Sequence, residues 1–273
     1  MISQEMIDKA AQLISGCKRV TALSGAGVSA ESGISTYRDA GGLWDRYPEG
    51  SSGGIMAVMA NHPEDAPQIL MGFLEGIKNA KPNLGHLALV DLEEMGYLRA
   101  VITQNVDNLH REAGSSQVYE MHGNLYRLRC MKCNKKEIME RESYFKMIED
   151  LITKIKRFSM EEIASNLPSC PCGGKARPDA VAFGEPVLDL SEATAEAKAC
   201  DLMLILGTSG VVYPAASMPG VAQSGGAKLI EINPLQSALT ARCDLFLEGK
   251  TGEILPRIVS SLREIREKEG SKS

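Results

Sequence analysis

Short apolar runs alternate along the chain with segments whose apolar residues recur at helical spacing. The runs 19–24 (RVTALS), 99–104 (RAVITQ), 116–121 (SQVYEM), 201–206 (DLMLIL) and 227–232 (AKLIEI) predict strands, with a shorter one at 243–247 (CDLFL). Between them, helical patterns lie near 3–15, 85–96, 188–199, 213–223 and 252–268. Buried strands separated by helices predict an α/β fold, a Rossmann-like parallel sheet with helices on both faces. Two segments break the rhythm. Residues 45–82 are rich in Gly, Pro, Met and Ser with short helical patches, and 127–178 hold two cysteine pairs around a charged helical stretch. The expected organisation is an α/β body of 1–126 and 178–273 carrying a helical insertion at 45–82. A small discontinuous module at 127–177 completes it.

Composition narrows this picture. With 273 residues, 44% hydrophobic and 24% charged, the chain can bury one sizeable core beside a small module. No apolar run approaches the roughly 18 residues of a membrane span. The opening MISQEMIDKAAQLISG reads as an amphipathic helix and not as a secretion signal, so a cytoplasmic protein without membrane partners is expected. A net charge of −5 argues against a specific nucleic-acid partner, though not against a local basic patch. The closing REIREKEGSKS is a charged, fraying tail. Seven cysteines, an odd number, do not suit a disulfide framework.

The first predicted strand runs into Gly25-Ala26-Gly27-Val28-Ser29-Ala30, a G-x-G-x-x-A pattern. In that pattern the first glycine permits a tight turn and the second lets a diphosphate approach the backbone. The small third residue, Ala30, lets a helix pack on the strand while its N-terminus offers N–H groups to phosphate. Taken alone, the turn also fits a glycine bend with no ligand. An acidic ribose ligand about twenty residues on is missing. That region, Gly41-Gly42-Leu43-Trp44-Asp45-Arg46, reads as a loop with no strand before it. Nucleotide binding remains open, and a hydride-transfer arrangement is weakened.

Cys130-Met-Lys-Cys133 and Cys170-Pro-Cys172-Gly-Gly are the paired cysteines. Thiolates this close repel unless a cation binds them, and four sulfurs suit a closed, structural tetrahedral zinc. The second pair is one residue tighter than C-x2-C, and its trailing glycines leave the backbone free to turn. The segment between the pairs predicts a helix from Ser143, read either as local packing or as a partner-binding face.

In open α/β sheets ligands sit beyond the carboxyl ends of strands. Gln104-Asn105-Val106-Asp107 follows the second predicted strand and offers amides and a carboxylate. His122 follows the third, either as a general base or as a structural imidazole. Gly207-Thr208-Ser209 and Asn233-Pro234 end two more strands with small hydrogen-bonding residues. His62 and His86 have no such placement, and His110 reads as a surface or capping residue of a helix.

These pieces, in this order, resemble a sirtuin, an NAD-dependent protein lysine deacylase. The resemblance rests on GAGVSAESGISTYRDAGGLW (25–44), TQNVDNLH (103–110), MHGN (121–124), CMKC (130–133), CPCGG (170–174), FGE (183–185), GTSGVVYPAA (207–216) and EINP (231–234). It covers about residues 15 to 255. It implies an NAD-binding Rossmann domain, a zinc module, and NAD in the cleft between them. By resemblance Gly25, Ala26, Gly27, Ala30, Tyr37, Arg38 and Gln104 line the cofactor. Asn105 and Asp107 would hold the nicotinamide amide, Asn105 with a part in catalysis. Gly207, Ser209 and Asn233 would hold the adenosine half, with the Cys243 backbone near adenine. An acyl-lysine peptide would insert as a strand between 181–185 (Val181, Phe183, Gly184, Glu185) and 210–212 (Val211). The implied reaction passes the acyl group from lysine to ADP-ribose with loss of nicotinamide, His122 acting as base. Cys130, Cys133, Cys170 and Cys172 would hold one structural zinc.

Two departures matter. The family loop GIPTFR reads Gly33-Ile34-Ser35-Thr36-Tyr37-Arg38 here, so Ser35 frees a φ angle that proline would fix. Members that remove acidic acyl groups carry a Tyr-x-x-Arg pair where this chain has Leu70 and Phe73. An acyl carboxylate would meet no arginine there and would be desolvated, so acetyl or longer apolar acyl groups are expected. Mono-ADP-ribosyl transfer in the same cleft, a non-catalytic NAD or ADP-ribose sensor and a dehydrogenase are the competing readings. His122 and Asn105 are both retained, which favours deacylation over the first two.

Overall fold

The computed structural model describes residues 2–36, 42–155 and 159–270. Nine strands occur among them: β1 Val20–Ser24, β2 Leu98–Thr103, β3 Val118–Glu120, β4 Gly123–Cys130, β5 Lys136–Ile138, β6 Ala176–Ala180, β7 Leu202–Leu206, β8 Lys228–Asn233 and β9 Leu245–Glu248. Six form one sheet in the order β3-β2-β1-β7-β8-β9, every neighbouring pair parallel. The chain reverses its direction of travel across the sheet between β1 and β7, which opens a crevice at their carboxyl ends.

Alternation along the central strands divides the core into two layers. Val20 and Ala22 of β1 and Leu202, Leu204 and Leu206 of β7 face one side. There they meet Ile7 and Ile14 of the helix Gln4–Ser15, Leu89 and Leu92 of Leu84–Glu94, and Leu255 and Ile258 of Thr251–Gly270. Leu23, Met203 and Ile205 face the other side, against Ala193 and Ala197 of Leu190–Ala199 and Met218 and Ala222 of Met218–Ser224. A parallel sheet buried on both faces needs continuous apolar strands, and β1 and β7 are buried at every position. The first helix shows how local sequence supports this. Ile7, Ala10, Ala11 and Ile14 make one buried stripe, and the Ser3 hydroxyl caps the N-terminus by accepting from Met6 N.

The outer parts are joined to each other as well as to the sheet. β5-β4-β6 form a small antiparallel sheet. The helix Arg141–Lys154 brings Tyr144, Phe145 and Ile148 against Leu125 and Tyr126 of β4 and Leu74 and Ile77 of the helix Ala66–Asn79. One apolar cluster therefore ties the 45–82 and 127–178 segments together. Buried Glu120 and Asp179 bridge the base of this region: Arg111 and Arg127 pair with Glu120, while Arg127 and Arg129 pair with Asp179.

Local readings meet three corrections. The stretch read as a loop at 41–46 contains a single helical turn, Leu43–Arg46. After the glycine turn the chain makes only a one-turn helix, Ala26–Ser29, and a 3-10 turn, Ala30–Ser32. Ala30 is exposed there, so Val28 and Ser29 provide the packing expected of it. His110 is no surface residue: it is 2% exposed beneath β1.

Candidate active site

The glycines of the first turn are required by packing at the sheet's crevice. A Cβ on Gly25 would stand 2.8 Å from Thr208 Cβ, and one on Gly27 would stand 2.8 Å from Gly207 Cα. Gly207 itself has φ +53 and admits no side chain, because a Cβ would collide with Val28 N. The two turns interlock through hydrogen bonds from Gly25 N to Leu206 O (3.0 Å) and Gly27 N to Gly207 O (2.8 Å). Two of the turn's N–H groups are therefore engaged by the protein itself. What the turn offers a ligand is a surface without side chains.

The polar turn after β2 sits beside it. Asn105 Nδ2 donates to Gly25 O (3.1 Å) and to Ser29 Oγ (3.1 Å). Ser29 Oγ donates to Asp107 Oδ2 (2.6 Å), while Asp107 Oδ1 accepts from Leu109 N (3.0 Å). Burial pushes the Asp107 carboxyl pKa up, against the lowering effect of these two donors. Gln104 Nε2 donates to Thr208 Oγ1 (3.0 Å), closing the turn across the crevice.

His122 follows β3 through Met121 and is half-buried. Its Nδ1 lies 3.0 Å from the Gln104 carbonyl oxygen, which can only accept, so Nδ1 carries the proton. Nε2 is left with a lone pair. Burial lowers the imidazole pKa below its ordinary 6.5, with the Gln104 bond acting in the opposite sense. Gly123 makes the position possible. Its φ is +83, and a Cβ there would collide with the Asp179 carbonyl of β6.

A cleft of about 1290 Å³ runs from these turns outward. Of the residues singled out in the sequence, Gly25, Ala26, Gly27, Ala30, Gln104, Asn105, His122, Gly207, Ser209 and Asn233 line it. So do Leu70, Phe73, Val181, Phe183, Gly184 and Glu185. Asp107 lies behind the lining and reaches it through Ser29 and Asn105. Val211 is exposed next to the lining residues Val212 and Tyr213. Cys243 follows the turn Thr240–Arg242, its thiol donating to Leu239 O, and is not among the residues lining the cleft. Tyr37 and Arg38 fall outside the described residues.

Sequence reasoning missed the far wall. Ile148 and Ile152 of Arg141–Lys154, with Ile163 and Leu167, face the same cleft as Leu70 and Phe73. The helical apolar spacing was visible. What it faced depended on two segments about seventy residues apart meeting. Ser29 was missed too, because a serine inside a glycine turn carries no signal of its partner Asp107.

The four paired cysteines converge. Their Sγ atoms all lie within 4.8 Å of one another, with Cys130–Cys172 at 3.5 Å and Cys133–Cys170 at 3.8 Å. Sulfurs about 2.3 Å from a tetrahedral zinc stand roughly 3.8 Å apart, so the donor set fits that ion. The shorter second pair is accommodated by glycine: Gly173 has φ +79, and a Cβ on Gly174 would press to 2.9 Å from Cys130 Sγ.

The sequence profile described as the Sir2 family matches residues 25–214. A protein of Desulfosudis oleivorans named NAD-dependent protein deacylase is 47% identical over 264 residues, covering 95% of this chain and 97% of its own. A solved structure of a Sir2 homologue with NAD is 38% identical at TM-score 0.74, covering 94% of both chains. Another, of a Sir2 protein bound to a myristoylated histone peptide, is 32% identical at TM-score 0.68, covering 97% of this chain and 100% of that one. A family model matched over residues 25–214 and a relative 47% identical across 95% of this chain agree, and this chain belongs to the Sir2 family.

Proposed function

We propose that this chain is an NAD-dependent protein lysine deacylase that removes acetyl and longer apolar acyl groups and disfavours acidic ones. The observation that carries the reading is His122, held at the cleft with Nδ1 donating to Gln104 O and Nε2 free to accept a proton. Full-length relatives named NAD-dependent protein deacylase support it.

The residues divide the work. The side-chain-free surface at Gly25, Gly27 and Gly207 receives the dinucleotide, with Ser209 and Asn233 toward its adenosine half. Asn105, fixed by Gly25 O and Ser29, presents its amide oxygen to the nicotinamide amide, and Asp107 holds Ser29 in place. Bound NAD supplies the electrophilic ribose carbon and the hydroxyl that accepts the acyl group. His122 Nε2 takes the proton from that hydroxyl. Phe183 is exposed in the cleft lining and Val211 is exposed beside the lining residues Val212 and Tyr213, which suits an extended peptide laid between the two segments. The acyl chain then points toward Leu70, Phe73, Ile148 and Ile152, an apolar wall with no arginine among those four. In bond terms the protein is an acyl transferase as well as a deacylase.

We assign the division of labour to a NAD-binding body, 1–126 and 178–273 with the 45–82 insertion, and a zinc module, 127–177. The zinc holds that module and takes no part in the reaction. Seven unpaired cysteines fit a reducing, cytoplasmic setting.

The test is mass spectrometry with NAD and one peptide carrying acetyl-, myristoyl- or succinyl-lysine. Free lysine and O-acyl-ADP-ribose should form with the wild type and fall by about 100-fold or more with His122→Ala. The kcat/KM for succinyl should be at least about tenfold below the other two. A succinyl preference would sink the acyl assignment. Nicotinamide release without deacylated peptide would replace deacylation with ADP-ribosyl transfer.

A further inference from the structure

Two histidines outside the reaction lie under the site, His86 at 0% and His110 at 2% exposure, with ring centroids 4.8 Å apart. Each has one nitrogen without a hydrogen-bond partner, Nε2 of His86 and Nδ1 of His110. Two orphaned polar atoms so deeply buried would be costly if left apart. Their surroundings fix which atom carries a proton. Asn83 N–H donates to His86 Nδ1 (3.3 Å), so a neutral His86 must carry its proton on Nε2. His110 Nε2 lies 2.8 Å from Ser24 Oγ, and Ser24 Oγ donates to Thr103 Oγ1 (2.8 Å). With the proton of His86 on Nε2, a proton on His110 Nδ1 would leave two buried donors without an acceptor, so the His110 proton sits on Nε2, donated to Ser24 Oγ, and Nδ1 keeps a lone pair. The orphans are thus a donor and an acceptor, matched for a direct bond after a small ring rotation or for one bridging water. Burial lowers both imidazole pKa values, His86 to about 4, which keeps both rings neutral.

The ends of this chain touch the machinery. Asn83 Nδ2 donates to Val28 O (2.8 Å) and Ser32 Oγ (2.9 Å), bracing the segment after the glycine turn. Thr103 Oγ1 accepts from Asn105 N (3.0 Å). We propose that His86 and His110 are positioning residues. Their hydrogen bonds run in one direction, from Asn83 through both rings and Ser24 to Thr103, and set the backbone of Asn105 for the nicotinamide amide. The role assigned to Asn105 rests on the deacylase reading above; the proton arrangement does not.

The full chain, labelled with ¹⁵N-histidine, would be examined by long-range ¹H–¹⁵N NMR at neutral pH. Both rings should be neutral with the proton on Nε2. A charged His110, or a proton on its Nδ1, would overturn the proposal. Kinetics then test the positioning role. His110→Leu should raise KM for NAD by about tenfold with kcat changed less than about threefold. His110→Gln, which keeps a donor near the Nε2 position, should recover KM to within about threefold of wild type. Equal KM in wild type and His110→Leu would refute it, as would a failure of Gln to recover what Leu loses. Should His110→Leu not fold, His86→Asn serves instead. It keeps an acceptor for Asn83 N–H and removes the inner donor, so an unchanged KM would refute the relay. Absence of any NAD turnover by wild type would count against the deacylase reading and leave the tautomer result to stand or fall alone.

Discussion

At the scale of single residues, one hydrogen bond decides what His122 has left to offer. His122 gives its Nδ1 proton to Gln104 O, so only Nε2 can act as base. Its pKa lies below 6.5 because burial disfavours the charged ring. The neutral, active form therefore persists to lower pH than for an exposed histidine. The acid limb of kcat/KM should fall below pH 6.5, and a limb above that value would show that another group limits the reaction. His86 and His110 have a different consequence. Unfolding restores ordinary pKa values, so below about 6.5 the unfolded chain binds protons that the folded one refuses. Stability should be fully present above that pH and decline beneath it, by up to about 1.4 kcal/mol per pH unit for each histidine. Urea unfolding at pH 7.5 and 5.5 would measure it, and equal midpoints would mean the rings can charge inside the fold.

At the scale of elements, the strands of the six-stranded sheet are legible in the sequence, whereas β4, β5 and β6 of the small antiparallel sheet are not, and neither are the encounters between elements. The run DLMLIL announces β7, because a strand buried on both faces is apolar at each position, and AKLIEI announces β8 despite Glu231, which is buried in mid-strand and accepts from Thr240 Oγ1. The cysteine pairs announce their own convergence, since the spacing leaves thiolates few other uses. His110 shows the limit. Its helix Leu109–Ala113 is a single short turn, so no periodicity distinguishes an inward histidine from an outward one. The apolar wall proposed for the acyl chain is similar: Leu70 and Phe73 were visible, but Ile148 and Ile152 join them only through the tertiary contact of two helices. That contact makes a substitution test available. Leu70→Tyr with Phe73→Arg should raise succinyl kcat/KM by about tenfold or more and reduce myristoyl turnover, as one charged hydrogen-bonded pair forms in an apolar channel. No gain for succinyl would place the acyl chain elsewhere. Gly123 offers a backbone test. Gly123→Ala must change a φ of +83 and move Asp179, and should cost about 2–4 kcal/mol in urea unfolding.

At the scale of the molecule, the two outer segments pack into a single region built from distant sequence. They share the cluster around Tyr126, Tyr144 and Leu74, with the four-sulfur knuckle at its far end. Metal analysis should find one zinc per chain, and a strong chelator should lower the melting temperature by about 10 °C or more. Unchanged melting and no bound zinc would leave four ordinary thiols. The chain passes from the large sheet to the small one along β3, Met121, His122 and Gly123 into β4, with β6 locked against Gly123. The base proposed at His122 therefore sits at the joint between the two sheets, held from both. A substrate pressing on the cleft meets a proton acceptor already in register with the Gln104 carbonyl, so the catalytic geometry we propose is built before anything binds.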